Sequence, residues 1–321
     1  MANDLESPYP YFGGKSKIAA RVWELLGDPH TYIEPFFGSG AVLLKRPSCR
    51  PNARREIAND YDGMIANFWR AVKYKPAEVR QWADYPCLHN DILPRRRWLK
   101  ERAPALVSQM AEAPDFCDPK AAGWWGWLMC HWIGASPLSE GLAPADGIGK
   151  IPRLDGTGLL CQKPAGDGLG MPGACESRAK AMDELLAALS DRLRDVKVVC
   201  GDWSRVLGGE WVFANSVGIF LDPPYGGDTK HSEVYTHDST TIAAAVRDWC
   251  LANGNRPNAR IVLAGYDCEH DALLSRGWRK EAWKANGGYA NQAKNHENAN
   301  CEKERLWISP NCAEQRQLRL F

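Results

Sequence analysis

The chain has 321 residues, of which 45% are hydrophobic and 25% charged, with a formal net charge of +1. That composition is globular and long enough for about two domains, and no apolar run approaches the roughly 18 residues needed to span a bilayer. Near-neutral charge excludes general basicity as a route to nucleic acid, so any such partner must be held by local patches. Met1-Ala2-Asn3-Asp4 lacks the basic start and apolar stretch of a secretory signal, and a cytoplasmic location is expected. Eleven cysteines lie scattered with no Cys-x-x-Cys pair, so reduced, mostly structural thiols are expected and no metal is.

In chain order, residues 16–27 read as an amphipathic helix stopped by glycine. Tyr32-Ile33-Glu34-Pro35-Phe36-Phe37-Gly38-Ser39-Gly40 then reads as a short strand running into a glycine turn, with a helical Ala41-Val42-Leu43-Leu44 behind it. A second strand, Glu56-Ile57-Ala58-Asn59, ends in Asp60, and a helix over 61–74 follows. From about Asp84 the character changes. Arg95-Arg96-Arg97-Trp98 concentrates positive charge around an aromatic ring, which suits phosphate contacts, although such a run also suits a solvated helix face. Trp124-Trp125-Gly126-Trp127-Leu128-Met129-Cys130-His131 is dense enough in tryptophan to read as core, with His131 buried. Residues 134–175 are rich in glycine and proline without periodicity and read as a long functional loop.

Periodicity returns from Ser177 through Leu193 as a helix. Val196-Lys197-Val198-Val199-Cys200 is a strand delivering Asp202, and Val217-Gly218-Ile219-Phe220-Leu221 is a strand delivering Asp222-Pro223-Pro224-Tyr225. A helix near 239–252, a strand over Ala259-Arg260-Ile261-Val262-Leu263-Ala264 and closing strands around 278–284 and 304–309 complete the pattern. Strands alternating with helices predict an α/β chain with a doubly wound, mostly parallel sheet that binds ligands at the carboxyl ends of its strands.

The tetrapeptide after the last of these acids suits chemistry on an amino group attached to a flat ring. Such an amine has its lone pair delocalised, so it becomes nucleophilic only where acceptors hold its hydrogens. Asp222 and the Pro223 carbonyl can be those acceptors, the diproline removes two backbone donors, and Tyr225 offers a stacking face worth roughly 1–3 kcal/mol. Asp60, about 20 residues past the glycines, is placed to hold ribose hydroxyls. A dinucleotide loop would need glycine where Leu43 stands, and a phosphate-binding loop ending in Gly13-Gly14-Lys15-Ser16 would need glycine where Tyr9 stands. Asp60 and Asp202 also suit helix capping.

Taken together these segments resemble the S-adenosylmethionine-dependent DNA amino-methyltransferases, particularly the Dam-like adenine-N6 enzymes of the alpha arrangement, in phage or prophage form. The resemblance implies a Rossmann-like methyltransferase fold, with residues 1–84 and 176–321 as the catalytic domain and 85–175 as an inserted target-recognition region. Tyr11, Phe12, Gly13 and Lys15 match its amino-terminal cofactor motif, and Glu34, Pro35, Phe36, Gly38 and Gly40 its glycine loop. Asp60 matches the ribose acid, while Asp202 and Trp203 match the segment that meets the cofactor adenine. Asp222, Pro223, Pro224 and Tyr225 are then catalytic, Arg95, Arg96, Arg97 and Tyr235 face DNA, and no metal is needed. The implied partner is double-stranded DNA, with a flipped adenine as substrate and S-adenosylmethionine as donor, acting as monomer or homodimer. Cytosine-N4 methylation and a catalytically weak DNA-binding protein that keeps the fold remain the alternatives, whereas Pro86-Cys87-Leu88 stands too far from any cofactor segment to support cytosine-C5 chemistry.

Overall fold

The computed structural model describes residues 5–11, 14–47, 55–85, 89–132, 137–138, 174–224, 239–283 and 304–313. In chain order the elements are α1 (Ala19–Leu26), β1 (Thr31–Glu34), α2 (Ala41–Leu44), β2 (Arg55–Asp60), α3 (Gly63–Tyr74), α4 (Pro76–Ala83), α5 (His89–Glu112) and α6 (Pro119–His131). They continue with α7 (Ala174–Leu193), β3 (Val196–Cys200), β4 (Val217–Leu221), α8 (Ser239–Asn253), β5 (Ala259–Tyr266), β6 (Arg279–Ala282) and β7 (Glu304–Ile308). Most boundaries follow from local chemistry. Gly27 ends α1 at a φ of 64°, a conformation that glycine adopts without strain. Asp62 starts α3 by accepting the Met64 amide at 2.7 Å, and Asp118 starts α6 by accepting the Ala121 amide at 2.9 Å.

The strands form one sheet in the order β3-β2-β1-β4-β5-β7-β6. The pairs from β3 through β5 are parallel, and β7 runs antiparallel to both β5 and β6. This is the mostly parallel, Rossmann-like α/β architecture that the alternation of segments predicts. Because β1 lies between β2 and β4, successive connections leave it in opposite directions, and a crevice must open above the β1/β4 boundary. Side-chain alternation sends Ile33, Ile219, Leu221, Ile261 and Leu263 to one face, against Val246 and Cys250 of α8. Tyr32, Phe220, Val262 and Leu306 go to the other, against α1, α3, α6 and α7. β4 is buried on both faces, which is why its sequence is uniformly apolar.

The described part of the 85–175 region does not stand apart from the sheet domain. α6 lies against α3 and α4, and Trp125, Trp127 and Leu128 share one continuous core with Phe68, Trp69 and Val79. Gly123 permits this approach, since a Cβ there would sit 2.5 Å from the Trp82 Cβ. His131 is buried as expected, its Nδ1–H donating to the Trp127 carbonyl at 2.7 Å. Most of the glycine- and proline-rich stretch lies outside the described residues.

Candidate active site

The carboxyl edge of the sheet gathers acids from four strands. Glu34 is the last residue of β1 and Asp60 the last of β2, while Asp222 follows β4 directly. Glu304 opens β7, but because β7 runs antiparallel to β5 it sits opposite Tyr266, the last residue of β5, and reaches the same edge. Lys15 enters this acidic ring from the segment before α1. It is buried, and its Nζ lies 2.9 Å from Asp222 Oδ2 and 5.7 Å from the centre of the Trp283 ring.

The glycine loop beside this pair is held from several directions. Gly38 and Gly40 have φ of 48° and 69°, and a Cβ at Gly38 would stand 2.9 Å from Tyr11 Cε1. The Gly38 carbonyl accepts both Tyr9 Oη and Trp69 Nε1 at 2.9 Å, and its amide donates to Asp60 Oδ2 at 2.8 Å. Asp60 Oδ1 accepts the Asp62 amide at 2.9 Å. Each carboxylate oxygen has a second lone pair, so Asp60 can brace the loop and still accept a ligand hydroxyl. Asn59 ties this loop to the next, donating from Nδ2 to the Pro35 and Gly201 carbonyls, both at 2.9 Å. Past Gly201, Trp203 lies stacked beside Phe36 at 6.2 Å and 27° between planes. Asp202 caps the following 3-10 turn, Oδ1 accepting the Ser204 amide at 2.9 Å.

Crowded acids with little water hold their protons tightly. Burial, helped by the neighbouring Asp62 carboxylate and opposed by the Gly38 and Asp62 amides, pushes Asp60 up to about 7 even though the residue keeps partial exposure. Burial also raises Glu34 well above the usual carboxylate range, with Asp222 and Asp60 adding repulsion and the Tyr32 hydroxyl, at 2.8 Å, working against it. Glu304 is raised to about 6 by burial, with Lys15 lowering and Asp222 raising it. Such a ring favours a ligand that brings positive charge.

The structure brings together Tyr11, Lys15, Glu34, Pro35, Phe36, Gly38, Gly40, Asp60, Asp202, Trp203 and Asp222, with Pro223 and Pro224 buried beside the last. Phe12, Gly13, Tyr225 and Tyr235 lie outside the described residues. The arginine run does not form one exposed face. Arg95 is buried with its guanidinium 4.3 Å from the Trp127 ring centre and 4.6 Å from that of Tyr85. Arg96 is buried too, donating from Nε to the Pro137 carbonyl at 2.6 Å, and only Arg97 of the three is exposed. Helical geometry explains the correction: consecutive residues turn about 100° apart, so a triplet cannot share a face when its helix is packed against tryptophans. Sequence reasoning missed Asn59, Trp69 and Glu304 as parts of the site, because none belongs to a motif and each depends on a neighbour far along the chain.

Strand-end acids beside a left-handed glycine loop, at the switch point of a mostly parallel sheet, make an architecture consistent with the Rossmann-like methyltransferase fold. Residues 11–92 are similar to the D12 class N6 adenine-specific DNA methyltransferases, whose family model matches this stretch. Comparison with curated proteins gives no match. The matched family is one of enzymes, and the match supports adenine methylation without supporting the cytosine-N4 alternative. It includes Lys15, the glycine loop and Asp60 but stops before Asp202 and Asp222. No described helix is long and apolar enough to cross a membrane.

Proposed function

We propose that the protein transfers a methyl group from S-adenosylmethionine to N6 of an adenine flipped out of double-stranded DNA, at specific sites and in the cytoplasm. The observation that carries this reading is the position of Asp222: at the tip of the central strand, above the switch point, and 2.9 Å from Lys15 of the matched segment. The residues fit the donor. Strand-end acids complement its net positive charge, Asp60 retains lone pairs for ribose hydroxyls, and the Phe36 and Trp203 rings supply a flat wall for an adenine. When bound, the donor supplies an activated methyl on a sulfonium whose departure leaves a neutral thioether.

The chain's own contribution is alignment and acceptors. Asp222 accepts one N6 hydrogen and the Pro223 carbonyl the other, which withdraws the nitrogen lone pair from the ring and aims it at the methyl. Neither Pro223 nor Pro224 has an N–H to compete for those acceptors. Lys15 holds the Asp222 carboxylate in place through their 2.9 Å contact. Flipping costs a few kcal/mol, offset by stacking on Tyr225 and by these hydrogen bonds. Arg97 contacts phosphate, and the 85–175 region reads the target.

Sequence-diverse DNA lacking methylated bases, incubated with the protein and S-adenosylmethionine carrying a labelled methyl, tests the reading by mass spectrometry of the released nucleosides. Labelled N6-methyl-2′-deoxyadenosine is expected. N4-methyl-2′-deoxycytidine would overturn the choice of base, and DNA binding without label would leave a binding protein that keeps the fold.

A further inference from the structure

We infer that Glu304 is a positioning residue of this site, sharing the Lys15 ammonium with Asp222 and so setting how strongly Asp222 accepts hydrogen bonds from the methyl-accepting amine. The inference rests on the reading of Asp222 given above. Three features place Glu304 there. Strand register brings it to the sheet edge opposite Tyr266. Its backbone carbonyl accepts the Trp283 amide at 3.3 Å, and the Trp283 ring in turn stands 5.7 Å from Lys15 Nζ, so Glu304, Trp283 and Lys15 converge on one corner. Its side chain is buried at 8% exposure, and Oε2 has no hydrogen-bond partner among the described residues. A buried carboxylate oxygen without a donor costs about 1–3 kcal/mol, and more when charged, so a fold that keeps one beside a functional ammonium is holding it for electrostatic work.

One lysine between two carboxyls cannot neutralise both. When Glu304 is ionised it draws on Lys15, and Asp222 keeps more of its negative charge for the substrate amine. Protonated Glu304 draws less on Lys15, which then pairs more strongly with Asp222, whose acceptor strength falls. Among the described residues, the groups facing Glu304 are Lys15 from the amino-terminal segment, Asp222 from the tip of β4 and Tyr266 from β5, with Trp283 beside β6. Arg305, Lys280 and Asp267 pair among themselves at 3.0 Å on the surface. Glu304 is held near 6, so it ionises just below neutrality. Turnover should therefore climb with pH through that value.

Full-length protein with Glu304→Gln, Glu304→Asp and Asp222→Ala is compared with the parent in turnover on DNA as a function of pH, in S-adenosylmethionine affinity and in melting temperature. Glu304→Gln fixes the uncharged state, so turnover at neutral pH should fall by about tenfold and the acid limb should disappear, with cofactor affinity changed by less than about twofold. Glu304→Asp should restore a limb at a displaced pH. Parental turnover and an unaltered limb in Glu304→Gln would overturn the inference. So would parallel losses of turnover, affinity and melting temperature with the profile's shape retained, which mark a merely structural residue. Where Glu304→Gln does not fold, an undisplaced limb in Glu304→Asp decides against the inference. Normal turnover in Asp222→Ala would instead remove the catalytic reading on which the inference stands.

Discussion

Lys15 and Asp222 meet at 2.9 Å although one precedes the first helix and the other follows the fourth strand, so an ion pair joins the amino-terminal segment to the tip of β4. Removing Lys15 takes away the ammonium that offsets the repulsion between Asp222 and the Glu34 and Glu304 carboxyls. Lys15→Gln should lower stability by about 2 kcal/mol in urea denaturation, less than the 3–5 of a fully buried pair because Asp222 still touches water. Asp222→Asn should cost less, since it removes one acid from a crowded ring. Equal losses in the two variants would argue that the pair is not the main source of order here.

If the proposed mechanism holds, Asp222→Ala removes an acceptor needed mostly in the transition state. Single-turnover rates should drop by roughly 10² or more while cofactor affinity measured by calorimetry stays close to parental. Asparagine keeps an acceptor oxygen and should retain more activity than alanine.

Asp60 takes up a proton near 7 in the folded protein and much lower when unfolded, so the folded state binds more protons between those values. Its ionisation therefore weakens the fold as pH rises through that window, and the penalty is complete above about 7. Asp60→Asn should flatten this part of the stability–pH curve in denaturation series at pH values on either side of neutrality. The same substitution should weaken S-adenosylmethionine binding, by about 1.5–3 kcal/mol for a lost charge-assisted acceptor. In the parent protein, cofactor affinity should fall as pH drops below neutrality, with calorimetry in buffers of different ionisation heat showing proton release on binding. Proton uptake would contradict the role given to Asp60.

Gly38→Ala places a methyl 2.9 Å from the Tyr11 ring in a backbone conformation that disfavours side chains. A loss of about 1–3 kcal/mol is expected together with weaker cofactor binding. Tyr9→Phe removes only one of the two donors to the Gly38 carbonyl and should loosen cofactor binding with a smaller effect on stability.

The arginines should separate cleanly. Arg97→Ala should reduce the magnitude of the log-affinity versus log-salt slope for DNA by about 1, with little change in melting. Arg95→Ala should destabilise the protein by about 1–2 kcal/mol through loss of its packing on Trp127, Trp124 and Tyr85. A salt slope insensitive to Arg97 would move the DNA surface to other residues.

The sheet was legible because β4 is apolar throughout and each acid ends a strand, features that sequence periodicity and strand-end logic capture directly. The positions of Asp60 and Asp222 at strand ends were legible for the same reason, since each stands at the end of a strand-like run. The arginine run was not, because whether a guanidinium meets phosphate or an indole depends on which helix packs beside it, and Trp124 and Trp127 lie on α6. Glu304 was hidden by topology. Nothing in Glu304-Arg305-Leu306-Trp307 says that this strand runs antiparallel to β5, and only that direction brings its first residue to the sheet edge where Asp222 stands.

The order β5-β7-β6 has a consequence for biosynthesis. β6 leaves the ribosome before β7, yet its only sheet partner among the described residues is β7, which also occupies the edge of β5. Until Glu304–Ile308 is made, β5 keeps an unpaired edge and β6 has nowhere to dock. The nascent chain thus waits with a β-edge open to improper pairing. Because β7 also delivers Glu304, closure of that edge and completion of the acidic ring are one event. An emerging chain that already displays the glycine loop and Asp222 acquires its finished electrostatic environment only when the last of these strands slides into place.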